Sequence, residues 1–249
     1  MAPTTSRVHK LRPGDASVAG ATKNESLNDT VYRALKNEIL LCRLQPGAET
    51  SEGQLAERYR FSKAPLRSAL ARLRQEKLVL TRGRLGNVIA PITIQDVREV
   101  FQLRLLLEIE ATRMAAGRLD PVALKRLDAR VRACHGADGD APIDVYREAN
   151  HEFHRYIVRA AGNDRLTEMV ISLIEQHERI VHFSLSVQNR DVEFHHVHDD
   201  LVEALLDGDG DRAAELAERA IRSSQQKIMD SLLSSSFHLP SSAGRERSP

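Results

Sequence analysis

Residues 51–81, SEGQLAERYRFSKAPLRSALARLRQEKLVLT, contain two helix starts separated by one short turn. Ser51 and Gln54 have the spacing of a capping box, in which two side chains satisfy two backbone N–H groups at the start of a helix. This spacing predicts a short helix that runs to Tyr59. The turn that follows, Arg60–Phe61, is so brief that the next helix must pack close by, as in a helix-turn-helix.

The helix after this turn is predicted to begin at Ser62, a residue type that caps helix starts. Pro65 lies in its first turn, where a proline costs little because the N–H that it lacks would have no helical partner. We predict that this helix runs to about Glu76. Its buried face consists of apolar residues at helical spacing, which are Leu66, Ala69, Leu70 and Leu73.

The segments on either side complete a winged helix-turn-helix. Residues Leu27–Leu41 carry apolar side chains at helical spacing, and Pro46–Gly47 then interrupts the chain. Beyond the third helix, Leu78–Thr81 and Asn87–Ala90 are rich in β-prone residues. The basic, glycine-bearing stretch Arg82–Gly86 between them predicts a hairpin tip, which would be the wing.

The pattern changes after Pro91. Thr93 and Asp96 predict the start of a long helix that runs through about Gly117, and no alternating β pattern follows. Further helical stretches are expected at about 121–136, 143–161, 163–186, 190–207 and 209–233. The predicted fold class is therefore mainly α, with a winged helix-turn-helix over 26–92, a bundle of about six helices over 93–235, and disordered tails over 1–25 and 236–249.

The charges divide unevenly along the chain. Residues 27–92 carry 12 Lys or Arg and 6 Asp or Glu, whereas residues 93–249 carry 20 and 27. A basic N-terminal part joined to an acidic C-terminal part indicates a domain that binds a polyanion, attached to a second domain with a different function. Chance clustering of solvated charges would give the same count. Two cysteines and no apolar segment long enough to span a bilayer exclude disulfide-rich, secreted and membrane classes, so we expect a cytoplasmic protein.

Several motifs of the front part resemble one known family. They are Leu44-x-Pro46-Gly47, Ser51-Glu52-x-x-Leu55-Ala56, Ser62-Lys63-Ala64-Pro65-Leu66-Arg67-x-Ala69-Leu70-x-x-Leu73 and Leu78-Val79. Together they resemble the DNA-binding domain of GntR-family transcription regulators. The rear resembles the FCD effector domain of the FadR subfamily, through Arg104-x-x-x-Glu108, Asn150-x-x-Phe153-His154, Ala161-Gly162-Asn163, His198, Leu201, Ala204-Leu205 and Gly208-Asp209.

The resemblance implies a recognition helix that enters the major groove of double-stranded operator DNA. Arg and Lys suit the acceptor atoms of guanine, and other basic side chains hold phosphates or probe the minor groove. The predicted DNA-contacting residues are Ser62, Lys63, Ala64 and Arg67 on the recognition helix, Arg58 near the turn, and Arg82 and Arg84 on the wing. Family members usually carry Arg where this chain has Lys63 and Gly53, which puts the usual base preference in doubt. A solvated hairpin tip remains the alternative for the wing arginines.

For the rear, the resemblance implies an effector pocket lined by Arg104, Asn150, His154 and His198. An arginine there suits a small organic acid, because its fork matches a carboxylate. The alternatives are an ordinary Arg104–Glu108 helical ion pair and an interior hydrogen-bonded His154.

The resemblance further implies a divalent cation such as Zn²⁺ or Ni²⁺, which many relatives hold with one carboxylate and three histidines. Here Asn150, His154 and His198 fall on three of these positions, and Ala220 falls on the fourth. Because an amide replaces the anion and a methyl group replaces an imidazole, we expect a degraded metal site.

The sequence thus favours a non-enzymatic, ligand-responsive repressor of a catabolic operon that acts as a homodimer and does not bind membranes. Two alternatives stay open at this point. His198-Asp199 is similar to the metal-binding pair of helical phosphohydrolases, which would make the protein a metal-dependent hydrolase. An architectural DNA-binding protein without an effector is the other.

Overall fold

The computed structural model describes residues 26–83, 86–134, 141, 143–188 and 198–234. Contacts divide the chain into two compact units. The described residues up to Ile39 and Gly47–Ala90 form the first unit, and Leu40–Pro46 joins the residues from Pro91 onward in the second. Both predicted tails lie outside the described residues.

The first unit is a winged helix-turn-helix, as predicted. Its elements are α1 (Leu27–Leu40), β1 (Glu49–Thr50), α2 (Glu52–Tyr59), α3 (Lys63–Gln75), β2 (Val79–Thr81) and β3 (Asn87–Ile89). The sheet is antiparallel with the order β1-β3-β2, so that Glu49 and Leu80 both pair with Val88. Strand β1 was not predicted, because two residues carry no periodicity and only their pairing with β3 defines them.

Local capping explains where the two helices of the motif begin and end. Ser51 and Gln54 form both hydrogen bonds of the predicted capping box at the start of α2. The helix ends at Arg60, which adopts the left-handed conformation with φ of 55° and donates its N–H to the carbonyl oxygen of Ala56. Ser62 occupies the N-cap position of α3, but its side chain makes no capping bond, contrary to the prediction. Its hydroxyl is therefore not engaged in holding the helix start.

The second unit is the predicted bundle of six helices in the part of the chain that the structure describes. They are α4 (Ile94–Ala115), α5 (Pro121–Ala133), α6 (Ile143–Ala160), α7 (Asp164–Gln188), α8 (Asp199–Asp207) and α9 (Gly210–Ser234). Thr93 and Asp96 form the predicted capping box of α4. The helix expected over 190–207 begins at Asp199 instead, and residues 189–197 lie outside the described segments.

Helix α4 is the central element of this unit, because it packs against α6, α7 and α9. One apolar cluster joins it to α7 and α9 and includes Phe101 and Ile228. Cys42, from the segment Leu40–Pro46, is buried in the same cluster, and burial raises the pKa of its thiol to about 11. At neutral pH this thiol stays protonated, so it behaves as a packing residue. Among the helices of the described segments, none is long and apolar enough to cross a membrane.

Candidate nucleic-acid interface and polar interior

The start of α3 presents the predicted recognition residues to solvent. Ser62, Lys63, Ala64 and Arg67 are all exposed. The apolar side chains between and after them, beginning with Pro65 and Leu66, are buried against the rest of the unit. This division follows from helical periodicity, which places residues 63, 64 and 67 on the face opposite the core. The exposed face has the shape and the basic side chains that a major groove accepts.

Arg67 and Lys63 differ in how they are held. The Nε of Arg67 donates to Oε2 of Glu52, the first residue of α2, over 2.7 Å. This pair raises the pKa of Arg67, first through the hydrogen bond and then through the charge of Glu52. Lys63 makes no hydrogen bond or ion pair with any described residue. The recognition face therefore carries a guanidinium oriented by an ion pair and an ammonium without a partner among the described residues.

The remaining predicted DNA contacts lie outside α3. Arg58 is exposed, and its guanidinium carbon lies 5.2 Å from the centre of the Tyr59 ring. Arg82 is also exposed, and its backbone N–H donates to the carbonyl oxygen of Gly86 at the base of the wing. Arg84 lies outside the described residues, so its predicted role stays a prediction.

Two other arginines of α3 stabilise the first unit. Arg72 donates to Asp29 over 2.6 Å, and its guanidinium carbon lies 3.7 Å from the centre of the Tyr32 ring. Arg74 donates to the side-chain oxygen of buried Asn87 on β3. Helical periodicity does not reveal these contacts, because the partners Asp29 and Asn87 lie on α1 and β3.

In the second unit, Arg104 and Glu108 form a buried, two-pronged ion pair. The Nε of Arg104 lies 2.7 Å from Oε2 of Glu108, and its Nη2 lies 3.2 Å from Oε1. Only 5% of Arg104 and 3% of Glu108 is exposed, so this is not the surface ion pair that the spacing alone would suggest. The third nitrogen, Nη1 of Arg104, is buried without a hydrogen-bond partner among the described residues. It is therefore available to an acceptor from outside the described structure.

His154 and Asn150 belong to the same polar interior. The Nδ1 of His154 lies 3.6 Å from Oε1 of Glu108, which brings α4 and α6 together at this point. Asn150, one turn earlier on α6, has a buried side-chain oxygen with no partner among the described residues. Nη1 of Arg104 and the side-chain oxygen of Asn150 are thus two buried polar atoms with unused hydrogen-bonding capacity among the described residues.

His198 completes the predicted set and comes with a residue that sequence reasoning missed. Its ring lies 5.6 Å from that of His154 and stacks on Phe153 at 4.3 Å. Its Nδ1 lies 3.5 Å from Oδ1 of Asp128, a fully buried carboxylate on α5. Burial, followed by the charge of Arg132, lowers the pKa of His198 to about 4, so the ring is neutral at pH 7. No motif of the sequence marks Asp128, because the pairing joins distant helices.

These residues do not fit a tightly held metal ion. The donors are two imidazoles and one amide oxygen, and position 220, where the resemblance places a further histidine, is an exposed alanine. Within the segments that the structure describes, no three His, Cys, Asp or Glu side chains are arranged to hold an ion. A divalent cation needs more anionic or imidazole ligands than this set provides. The degraded site for Zn²⁺ or Ni²⁺ stays a prediction.

Both halves of the chain match known protein families. Residues 27–89 match the model of the gntR family of bacterial regulatory proteins, and residues 99–223 match the FCD domain. The chain belongs to the GntR family. Its members are DNA-binding transcription regulators, and nothing in the comparisons indicates an enzymatic activity.

Curated relatives of this GntR-family protein align over most of their length. The HTH-type transcriptional repressor RspR of Escherichia coli K12 is 24% identical over 84% of this chain and 90% of its own. The HTH-type transcriptional repressor GlaR of the same strain is 29% identical over 74% of this chain and 88% of its own. In both cases the alignment spans far more than a DNA-binding domain.

Solved structures show the same fold. E. coli McbR/YncC has a TM-score of 0.70 at 20% identity and covers 84% of this chain and 100% of that one. A putative GntR transcriptional regulator from Rhodococcus sp. RHA1 has a TM-score of 0.64 at 17% identity, with 85% and 99% covered. At these identities the likeness establishes the architecture alone.

Proposed function

We propose that this GntR-family regulator represses a catabolic operon and that a small organic acid relieves the repression. The observation that carries the effector proposal is the buried Nη1 of Arg104, which lacks a partner among the described residues. A carboxylate oxygen is a strong acceptor for such a donor. Repression, in preference to activation, is supported by relatives whose names describe repressors.

The arrangement around Arg104 favours a small acid with further polar groups. Glu108 already balances the charge of Arg104, so this polar interior offers directed hydrogen bonds more than net positive charge. The open oxygen of Asn150 would accept from a hydroxyl or amine on the ligand. His198, whose ring is neutral and lies 5.6 Å from that of His154, adds a further polar group to this interior. The acid can regulate DNA binding only if its affinity for the DNA-bound form of the protein differs from its affinity for the DNA-free form.

A thermal-shift screen tests the effector. We expect at least one small carboxylate, such as a hydroxy acid or dicarboxylate, to stabilise the protein by about 2.7 kcal/mol at 100 times its Kd. Zn²⁺ or Ni²⁺ alone should shift Tm little, because the donor set is incomplete. The amide analogue of each active acid serves as the control and should give no shift. If neutral analogues stabilise as well as the acids do, the carboxylate interpretation is wrong.

A homodimer is part of the proposal, because GntR-family regulators typically dimerise and a two-fold protein suits two operator half-sites. Helix α4 exposes Leu103 and Leu106, and the latter is 64% exposed. Helix α7, which packs against α4, exposes Met169. Large apolar side chains on the outer faces of two adjacent helices favour these helices as the dimer surface.

The dimer surface is tested by placing a charge on it. We expect Leu106→Glu to convert the protein from twice its 27.9 kDa chain mass to a monomer, because burying an unpaired carboxylate in an apolar interface is costly. Sedimentation velocity measures the mass. Val122→Glu is the control, since Val122 is an exposed apolar residue of α5 and should leave the dimer intact. A Leu106→Glu protein that remains dimeric would place the interface elsewhere.

A further inference from the structure

The contact between Glu52 and Arg67 joins the first turn of α2 to the exposed face of α3. It is an exposed pair, with 67% of the Arg67 side chain and 33% of the Glu52 side chain accessible. Pairs of this kind contribute little to folding, so a stability role does not explain its geometry. The position of Glu52 is well defined, because the capping box of Ser51 and Gln54 holds the backbone on which it sits.

The contact uses one nitrogen of Arg67 and leaves two. Only Nε donates to Glu52, and neither Nη1 nor Nη2 has a partner among the described residues. A guanidinium is planar, so anchoring Nε restricts the direction in which the two NH₂ groups, Nη1 and Nη2, point. Reading guanine in the major groove needs such a fork, aimed at O6 and N7 together.

The fork is open to solvent, because 67% of the Arg67 side chain is exposed although its Nε is paired. The Glu52 carboxylate also brings a negative charge next to the DNA-facing surface, where it repels phosphates. A duplex without the matching base would meet this repulsion without the compensating contact to the fork.

We propose that Glu52 is a positioning residue that sets operator specificity by holding the Arg67 fork for base reading, and that its charge weakens binding to DNA of any sequence. The inference rests on Arg67 as a base-reading residue, which is part of the proposed function. It assigns two separable effects to one carboxylate. The hydrogen bond to Nε supports discrimination between operator and unrelated DNA, and the charge weakens binding to both.

The test compares two substitutions in the full-length protein. An operator is first selected from random duplexes by the native protein, and affinity is then measured by fluorescence anisotropy for it and for an unrelated duplex of equal length. Glu52→Gln keeps an acceptor for Nε but removes the charge. We expect both duplexes to bind several-fold more tightly, with their affinity ratio within about threefold of the native ratio. For Glu52→Ala we expect the unrelated duplex to bind more tightly while the ratio falls about tenfold.

Two controls separate the explanations. Glu57→Gln removes the same charge from an exposed position of α2. It should strengthen binding to both duplexes without changing the ratio of the two affinities. In an Arg67→Ala background, Glu52→Ala should lower the ratio no further, because Glu52 acts through Arg67. If Arg67→Ala lowers the ratio but Glu52→Ala does not, the positioning role is wrong while the recognition helix stands. If Glu52→Ala lowers the ratio even without Arg67, Glu52 contacts a base itself and the proposal is overturned.

Discussion

Arg67→Ala should lower affinity for a selected operator by about 5- to 150-fold per half-site, which corresponds to the 1–3 kcal/mol of discrimination in one bidentate contact to guanine. Arg67 is exposed one turn after Lys63, on the α3 face that carries no core side chains. Affinity for an unrelated duplex should fall much less, because base contacts contribute little to non-specific binding. Titrations with both duplexes at several salt concentrations measure the two effects separately.

The matched control for this prediction is Arg72→Ala in the same helix. It removes an identical charge, but Arg72 is engaged with Asp29 and the Tyr32 ring of α1. We expect operator preference to be unchanged and the free energy of unfolding to fall by about 1 kcal/mol or less. Arg58→Ala should instead weaken binding to both duplexes. It should also reduce the salt dependence of the affinity by about one released counterion, as expected for the loss of a phosphate contact. If Arg67→Ala behaves like Arg58→Ala, then Arg67 holds the backbone and reads no base.

The parts of the fold that were predictable depend on local chemistry. Both capping boxes, at Ser51 and Thr93, mark helix starts that the structure reproduces, because the signal lies within four residues. The exposure of Lys63 and Arg67 follows from helical periodicity and is likewise local. Strand β1 and the inclusion of Leu40–Pro46 in the second unit were not predictable, since only pairing and packing with distant residues define them.

The candidate sites divide in the same way. The family motifs identify Arg104, His154 and His198. They do not identify all of the side chains that these residues contact. Asp128 and His198 are brought together by the packing of α5 and α8, and Glu52 meets Arg67 across two helices. Spacing did place Glu108 beside Arg104, yet it could not show that the pair is buried or that one nitrogen is left open. Burial is a property of the whole bundle, and no single helix encodes it.

The burial of the Arg104–Glu108 pair predicts the largest change in stability. Glu108→Ala should lower the free energy of unfolding by about 3–5 kcal/mol, because it leaves the Arg104 charge buried without its partner. Urea denaturation followed by circular dichroism at 222 nm suits a chain without Trp and reports the helices directly. Glu110→Ala is the control, since this exposed glutamate of α4 pairs with Arg113 alone among the described residues and its loss should cost about 0.5 kcal/mol or less. A loss below 1 kcal/mol for Glu108→Ala would mean that water reaches Arg104.

Replacing both partners separates the stability role of this pair from its effector role. In Arg104→Met/Glu108→Leu, apolar side chains of similar volume remove both buried charges, so stability should return to within about 1 kcal/mol of the native value or exceed it. The double variant also lacks the guanidinium whose Nη1 is open, and we therefore expect no thermal shift with any acid that stabilises the native protein. Operator affinity without the acid should be retained, since Lys63 and Arg67 belong to the other unit. A double variant that is stable, binds the operator and still responds to the acid would show that Arg104 is a structural residue and that the acid is recognised elsewhere.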